Sequence, residues 1–414
     1  MKRPEVLSPA GNLEKMKFAV DFGADAVYLG GKLFNLRAKA GNFTLEEMAQ
    51  GIEYAHKRGV KVYVTLNAFA RNDDFESIES FIDEVKELKP DAFIVSDLGV
   101  LSTVKERAPE IDVHISTQAN TTNYRAVKVY RDLGASRVVL ARELSIPEIR
   151  RIKEEVPEME VEVFVHGAMC MAYSGRCLLS NYLSYRESNK GACSQSCRWK
   201  YYLVEETRPG ELIPIEEDDK GTYIFNSKDL CALPVLDELV SVGVDSLKIE
   251  GRVKSSYYVA VVTSVYRRAL ELLLKDRGLF KSELPVLYSE LEKVSHRPYS
   301  LGFLKGGDEL LQHYETSSYI RNYKFLGIFR GDLWDVRNRL EVGDEVEIFT
   351  PSADVMKLKV LEIYIEKKGN LTPSESANPN QRALIKFNKN VEISEKSLLR
   401  RREVKTSVLS SVQR

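Results

Sequence analysis

Eight short apolar runs, each followed by a stretch with helical periodicity, dominate the first 250 residues. The runs are EVLSPAG (5–11), AVYLGG (26–31), VKVYVTLNAF (60–69), AFIVSD (92–97), DVHISTQAN (112–120), RVVLARELS (137–145), VEVFVHGA (161–168) and SLKIEGR (246–252). Between them lie segments such as NLEKMKFAVDFG and TLEEMAQGIEYAHKRG, with apolar residues at helical spacing and a Gly just past the end. Thr44 ahead of Glu46 and Glu47 reads as an N-cap. Eight strand–helix repeats predict a (β/α)8 TIM-type barrel over residues 1–275. A doubly wound open sheet is the alternative, but no G-x-G-x-x-G follows the first run.

Alternation inside the runs shows where chemistry could sit. One face of a barrel strand meets helices and must be apolar, while the other faces the interior. In the eighth run Leu247 and Ile249 oppose Lys248, Glu250 and Arg252. In the fifth, Val113 and Ile115 oppose His114, Ser116 and Gln118. In the third, Val62, Val64 and Leu66 oppose Tyr63, Thr65 and Asn67, and in the seventh three valines oppose Glu162, Phe164 and His166. A structural barrel interior is mostly Val, Ile and Leu, and unpartnered charges there cost several kcal/mol each. These side chains therefore neutralise one another or surround a polar ligand. Lys248 and Arg252 suit a carboxylate, and Glu162, His166 or Glu250 could move protons. Asn67, His114 and Gln118 are candidate substrate contacts, although a hydrogen-bonded packing role is equally open to His114.

Bulk charge names no partner, because 60 basic residues meet 61 acidic ones. The chain starts without an apolar leader and has no run long enough to span a membrane, which predicts a cytoplasmic protein. Cytosolic thiols stay reduced, so clustered cysteines there point to metal or catalysis. Cys170, Cys177, Cys193 and Cys197 crowd one segment, with Cys231 beyond it. That segment, about 168–225, is too long for an ordinary connection and reads as an insertion over the barrel mouth. The spacing is neither the C-x2-C of a zinc ribbon nor a ferredoxin run. Thiolate ligation leaves an iron–sulfur cluster, zinc, or buried or redox thiols open.

The stretch from Glu162 to Ser180, EVFVHGAMCMAYSGRCLLS, resembles the signature of the collagenase-like peptidase family, whose catalytic type is unassigned. Glu162, Phe164, Gly167, Ala168, Met169, Cys170, Gly175, Cys177, Leu179 and Ser180 all fit it. The blocks LSPAG, GACSQSCRWKY, NSKDLCALP and SLKIEGRVKS are similar to others of the family, so the resemblance covers about residues 4–330. The family name implies a peptidase, yet H-E-x-x-H and G-x-S-x-G are both absent. The resemblance also implies anaerobic hydroxylases carrying a 4Fe–4S cluster, with branches acting on tRNA wobble uridine, an rRNA cytidine and quinone precursors. In a quinone branch with this spacing the ligands match Cys170, Cys177, Cys193 and Cys231, which makes Cys197 spare. A sister protein uses both cysteines of the C-x3-C pair instead.

A connecting region at about 276–320 leads to period-two runs that predict a small antiparallel β-barrel at 321–405, followed by a tail at 406–414. NRLEVGDEVEIFTP is similar to a loop–strand motif of translation-factor barrels. The basic run Lys396, Arg400, Arg401, Arg402 and Lys405 could meet a phosphate backbone. Barrel plus tail looks most like the wobble-uridine branch. That branch implies hydroxylation at carbon five in a tRNA anticodon loop, with prephenate as co-substrate. It also leaves room for an electron donor and a homo- or hetero-oligomer. Two other classes stand beside it: a peptidase, and a noncatalytic cluster-bearing scaffold for RNA or protein.

Overall fold

The computed structural model describes residues 3–403 apart from 33, 35–40, 171, 195, 197–216, 219–220, 223–226 and 307–318. Cys197 and Lys405 lie outside the described residues. Two compact units emerge, Met1–Tyr288 with His296–Tyr319, and Ser289–Ser295 with Ile320–Arg414. No described helix is long and apolar enough to cross a membrane.

The first unit is the expected eight-stranded parallel barrel. Its strands are β1 (Glu5–Pro9), β2 (Ala26–Gly30), β3 (Lys61–Leu66), β4 (Ala92–Val95), β5 (Asp112–Ile115), β6 (Arg137–Val139), β7 (Glu160–Ala168) and β8 (Ser246–Ile249). They pair in sequence order, and β8 closes the ring against both β1 and β7. The helices begin as local chemistry dictates. Thr44 and Glu47 form a capping box on Leu45–His56, and Asn12, Asp97 and Asn123 cap three others. Leu7, Ala26, Tyr28, Tyr63, Ala92 and Ile94 pack together as one buried cluster.

Two departures from regular geometry matter for the site. First, the β7–β8 register shifts by one residue: Lys248 pairs with Phe164, but Ile249 pairs with His166. The extra residue is a β-bulge, which flips the alternation beyond it. Second, the short strand Asp229–Cys231 runs antiparallel to β7 and itself pairs with Tyr299–Ser300. The stretch expected only to connect thus contributes the helix Arg277–Leu291 and a strand to the sheet. Its described residues divide between the two units.

The second unit is a closed antiparallel barrel. Around the ring run Glu345–Phe349, Leu398–Arg402, Tyr323–Arg330, Leu333–Val336, Arg382–Phe387 and Val355–Lys367, which returns to Glu345–Phe349. Its core holds Trp334, Ile348, Val360, Ile363 and Leu399. Two members of the basic run are engaged inside the protein and are not free to meet a phosphate backbone. Arg400 is fully buried and holds Glu290 and Glu347, while Arg401 holds Asp344. Lys293 bridges the same two glutamates at 2.6 and 3.0 Å.

Candidate active site

A cavity of about 130 Å³ opens at the carboxyl ends of the barrel strands, where active sites of this architecture sit. Its lining includes Tyr28, Thr65, Asn67, Gln118, Arg142, Phe164, Lys248, Glu250 and Arg252 from the barrel. The insertion adds Cys170, Cys177 and Cys193, so three thiols face the same space.

The described part of the insertion is fastened to the loops below it. Ser174 donates twice to the Glu143 carboxylate, at 2.6 Å each from its backbone N and its Oγ. The Arg176 Nε donates to the Gln118 carbonyl at 2.8 Å. Lys190 pairs with Asp74 at 2.8 Å, and the Phe69 N–H donates to the Asn189 carbonyl at 3.1 Å. The signature serine Ser180 holds the insertion's own backbone. Its Oγ donates to the Arg186 carbonyl at 2.7 Å and accepts from the Ser194 N–H at 3.0 Å.

Charge at the base of the cavity is organised as a chain. Lys248 Nζ donates to Glu162 Oε1 at 2.6 Å and lies over the Tyr28 ring, 4.6 Å from its centroid. Arg137 Nη1 donates to Glu162 Oε2 at 3.1 Å and to Glu5 Oε1 at 2.7 Å. Burial pushes the Glu162 carboxyl up, but Lys248 and Arg137 outweigh it and hold its pKa below the ordinary value. Glu162 is therefore a saturated, ionised anchor beneath the cavity and is not part of its lining. Among the strand-eight candidates, Lys248, Glu250 and Arg252 do line it, and Arg252 Nη1 donates to Thr65 Oγ1 at 3.2 Å.

Two glycines fix the loop that carries Glu250 and Arg252. A Cβ on Gly11 would stand 1.9 Å from the Arg252 carbonyl oxygen. At Gly167 φ is +108°, and a Cβ there would stand 2.6 Å from the Glu250 carbonyl oxygen. Both belong to the sequence blocks singled out above.

The two histidines expected inside the site are elsewhere. His166 follows the bulge and takes the outward side of β7, among Tyr258, Tyr266 and Tyr299. Burial, then the nearby His296 and Lys254, push its pKa down to about 3, so it is neutral. His114 stacks edge-on against Tyr63, 4.6 Å between centroids, and lines a separate opening at the amino ends of the strands. Its pKa is also pushed well down, first by burial and then by Arg137 and Lys248. Asn67 and Gln118 do reach the mouth cavity. Their side-chain oxygens are buried and lack hydrogen-bond partners among the described residues. A ligand N–H or O–H would satisfy them.

The sequence reading missed Arg142. It follows β6, donates through Nη1 to the Ala168 carbonyl at 2.8 Å, and lies 3.6 Å from Glu250. Its guanidinium covers the Phe164 ring at 3.9 Å. The only available signal was its position just past a barrel strand.

Thiolates are the kind of ligand a soft-metal cluster takes, and Cys170, Cys177 and Cys193 line the same cavity. Cys231 pairs with His166 across the antiparallel ladder, so it shares the outward face, 4.0 Å from the Tyr266 hydroxyl. Among the described residues no three His, Cys, Asp or Glu side chains converge as a metal site.

Comparison with known proteins agrees with this anatomy. Residues 11–313 match the model of peptidase family U32, and residues 321–400 match the C-terminal domain of that family. The chain is 39% identical over 409 residues to the Bacillus subtilis tRNA hydroxylation protein P1, covering 97% of this chain and 95% of that one. It is 40% identical to the Escherichia coli tRNA hydroxylation protein P, covering 86% and 88%. It is 32% identical to a Porphyromonas gingivalis protein named collagenase, covering 95% and 96%. With both its barrel and its tail matched, the chain belongs to peptidase family U32.

Proposed function

We propose that this protein is an RNA-modifying enzyme that hydroxylates tRNA, acting at carbon five of the wobble uridine with prephenate as co-substrate. The observation that carries the reading is the likeness to the Bacillus tRNA hydroxylation protein, which runs through nearly the whole of both chains. The site suits such a substrate. Arg142, Lys248 and Arg252 gather cations on a compact cavity, where a carboxylate or a ring oxygen would be held. Asn67 and Gln118 add acceptors for a ring N–H. An anticodon loop presents unstacked bases, so moving one into the cavity costs little. Glu250 is the carboxylate on the lining and the group we assign to proton movement.

A 4Fe–4S cluster held by Cys170, Cys177 and Cys193, with Cys231 as fourth ligand or Cys197 in its place, is part of the proposal. When bound it supplies one-electron redox chemistry, with an outside electron donor as partner. Such a reaction belongs in the cytoplasm, where tRNA is.

The relative named collagenase favours a second reading, proteolysis. The cavity gives it little help, because neither His114 nor His166 lines the mouth beside a cysteine.

Nucleoside mass spectrometry of tRNA decides between them. Deleting the gene should remove 5-hydroxyuridine-derived nucleosides, and the wild-type gene, but not R252A, should restore them. Unchanged nucleosides after deletion, together with peptide cleavage by the purified protein, would establish the peptidase instead.

A further inference from the structure

The described cations of the second unit differ in their partners. Arg330, Arg339, Arg382, Lys386, Arg400 and Arg401 each hold a carboxylate. Lys357, Lys359, Lys389 and Arg402 hold none among the described residues, and all four line one open groove of about 470 Å³. Period-two geometry places them. Lys357 and Lys359 are exposed on either side of the buried Leu358 in the strand Val355–Lys367. Arg402 pairs across the ladder with Tyr323, which also lines the groove.

The carboxylates in the groove do not cancel this charge. Glu347 is already held by Arg400 and Lys293. That leaves Glu345, opposite Lys359 on the neighbouring strand, against four cations. Asn388 is fixed as well: its Oδ1 accepts from the Lys359 N–H at 2.9 Å, which leaves its amide N–H groups for an acceptor.

We propose that this groove binds the sugar–phosphate backbone of tRNA, as a contact additional to the nucleotide that enters the mouth cavity. The inference rests on the RNA-modifying reading above. Phosphate oxygens only accept hydrogen bonds, and the groove offers ammonium, guanidinium and amide donors. Each phosphate neutralised releases condensed counterions, so the groove supplies salt-sensitive affinity and carries no sequence preference. The Tyr323 ring adds a face for an unstacked base or sugar.

The test uses the full-length protein carrying K357Q/K359Q/K389Q and binding to fluorescently labelled tRNA across a salt series. The slope of log affinity against log salt should shrink by about three, and affinity near 0.15 M salt should fall about tenfold or more. The control K367Q/K368Q removes two charges from a hairpin turn outside the groove and should leave the slope unchanged. Wild-type affinity and slope in the triple variant, or an equal loss in the control, would overturn the proposal. If the triple variant binds normally while cells still make the modified nucleoside, the groove alone is wrong. If the wild-type protein binds no tRNA and deletion changes no nucleoside, the RNA reading falls and the groove assignment falls with it.

Discussion

Lys248 Nζ lies 2.6 Å from Glu162 Oε1, and the carboxylate has no solvent exposure. The second oxygen of Glu162 is taken by Arg137. Removing one member of a buried ion pair strands the others, so E162Q should lose about 3 kcal/mol or more in denaturant unfolding at neutral pH. The pH dependence has a definite sign. The folded pKa of Glu162 lies below its ordinary 4.5, so its contribution is full above that value and fades as pH falls through the lowered pKa. Wild-type stability should therefore drop more steeply than that of E162Q on the acid side of pH 4.5. Parallel acid limbs would show that the network does not control the charge on Glu162.

Arg142 touches the cavity, Glu250 and the Phe164 ring. R142M should keep the fold, judged by circular dichroism and melting. In a deletion strain it should restore well under a tenth of the modified nucleoside. R142K, which keeps charge but loses the planar fork, should fall between the two.

Thiol substitutions separate the ligand sets. After anaerobic purification, wild-type protein should carry about four iron and four sulfide per chain. C170A, C177A and C193A should each lose most of both. C231A should do the same if Cys231 completes the set, and C197A should not. Retained iron in C231A with loss in C197A would move the fourth ligand to Cys197.

The glycine contacts predict sharp intolerance. G11A sets a methyl 1.9 Å from the Arg252 carbonyl oxygen, and G167A adds a left-handed backbone to a 2.6 Å contact. Each should cost about 1–3 kcal/mol or more in unfolding experiments. Modification should fall further than stability, because both glycines seat the loop of Glu250 and Arg252. G59A, at a turn with open space around it, should lose only the cost of its positive φ.

The barrel was readable because its repeats are local and its strand pattern has one period. The polar interior was readable for the same reason: Lys248 alternates with Leu247 and Ile249 in the strand, and Glu250 and Arg252 keep that period into the loop beyond it. His166 was misplaced because one bulged residue inverts alternation without leaving any mark in composition. Arg400 and Arg401 looked free to meet a phosphate backbone because their carboxylates, Glu290, Glu347 and Asp344, lie far away in sequence. Arg142 went unseen because nothing local separates an arginine that points into a cavity from one that points into water.

The bulge in β7 has a consequence for how such a barrel can change. Losing the surplus residue would leave His166 opposite Ile249 in a regular ladder and keep its imidazole on the outward side. Keeping the residue but flattening the bulge would instead turn that imidazole towards the interior. The bulge, and not the order of the letters, therefore decides whether the end of this strand offers the mouth a titratable group.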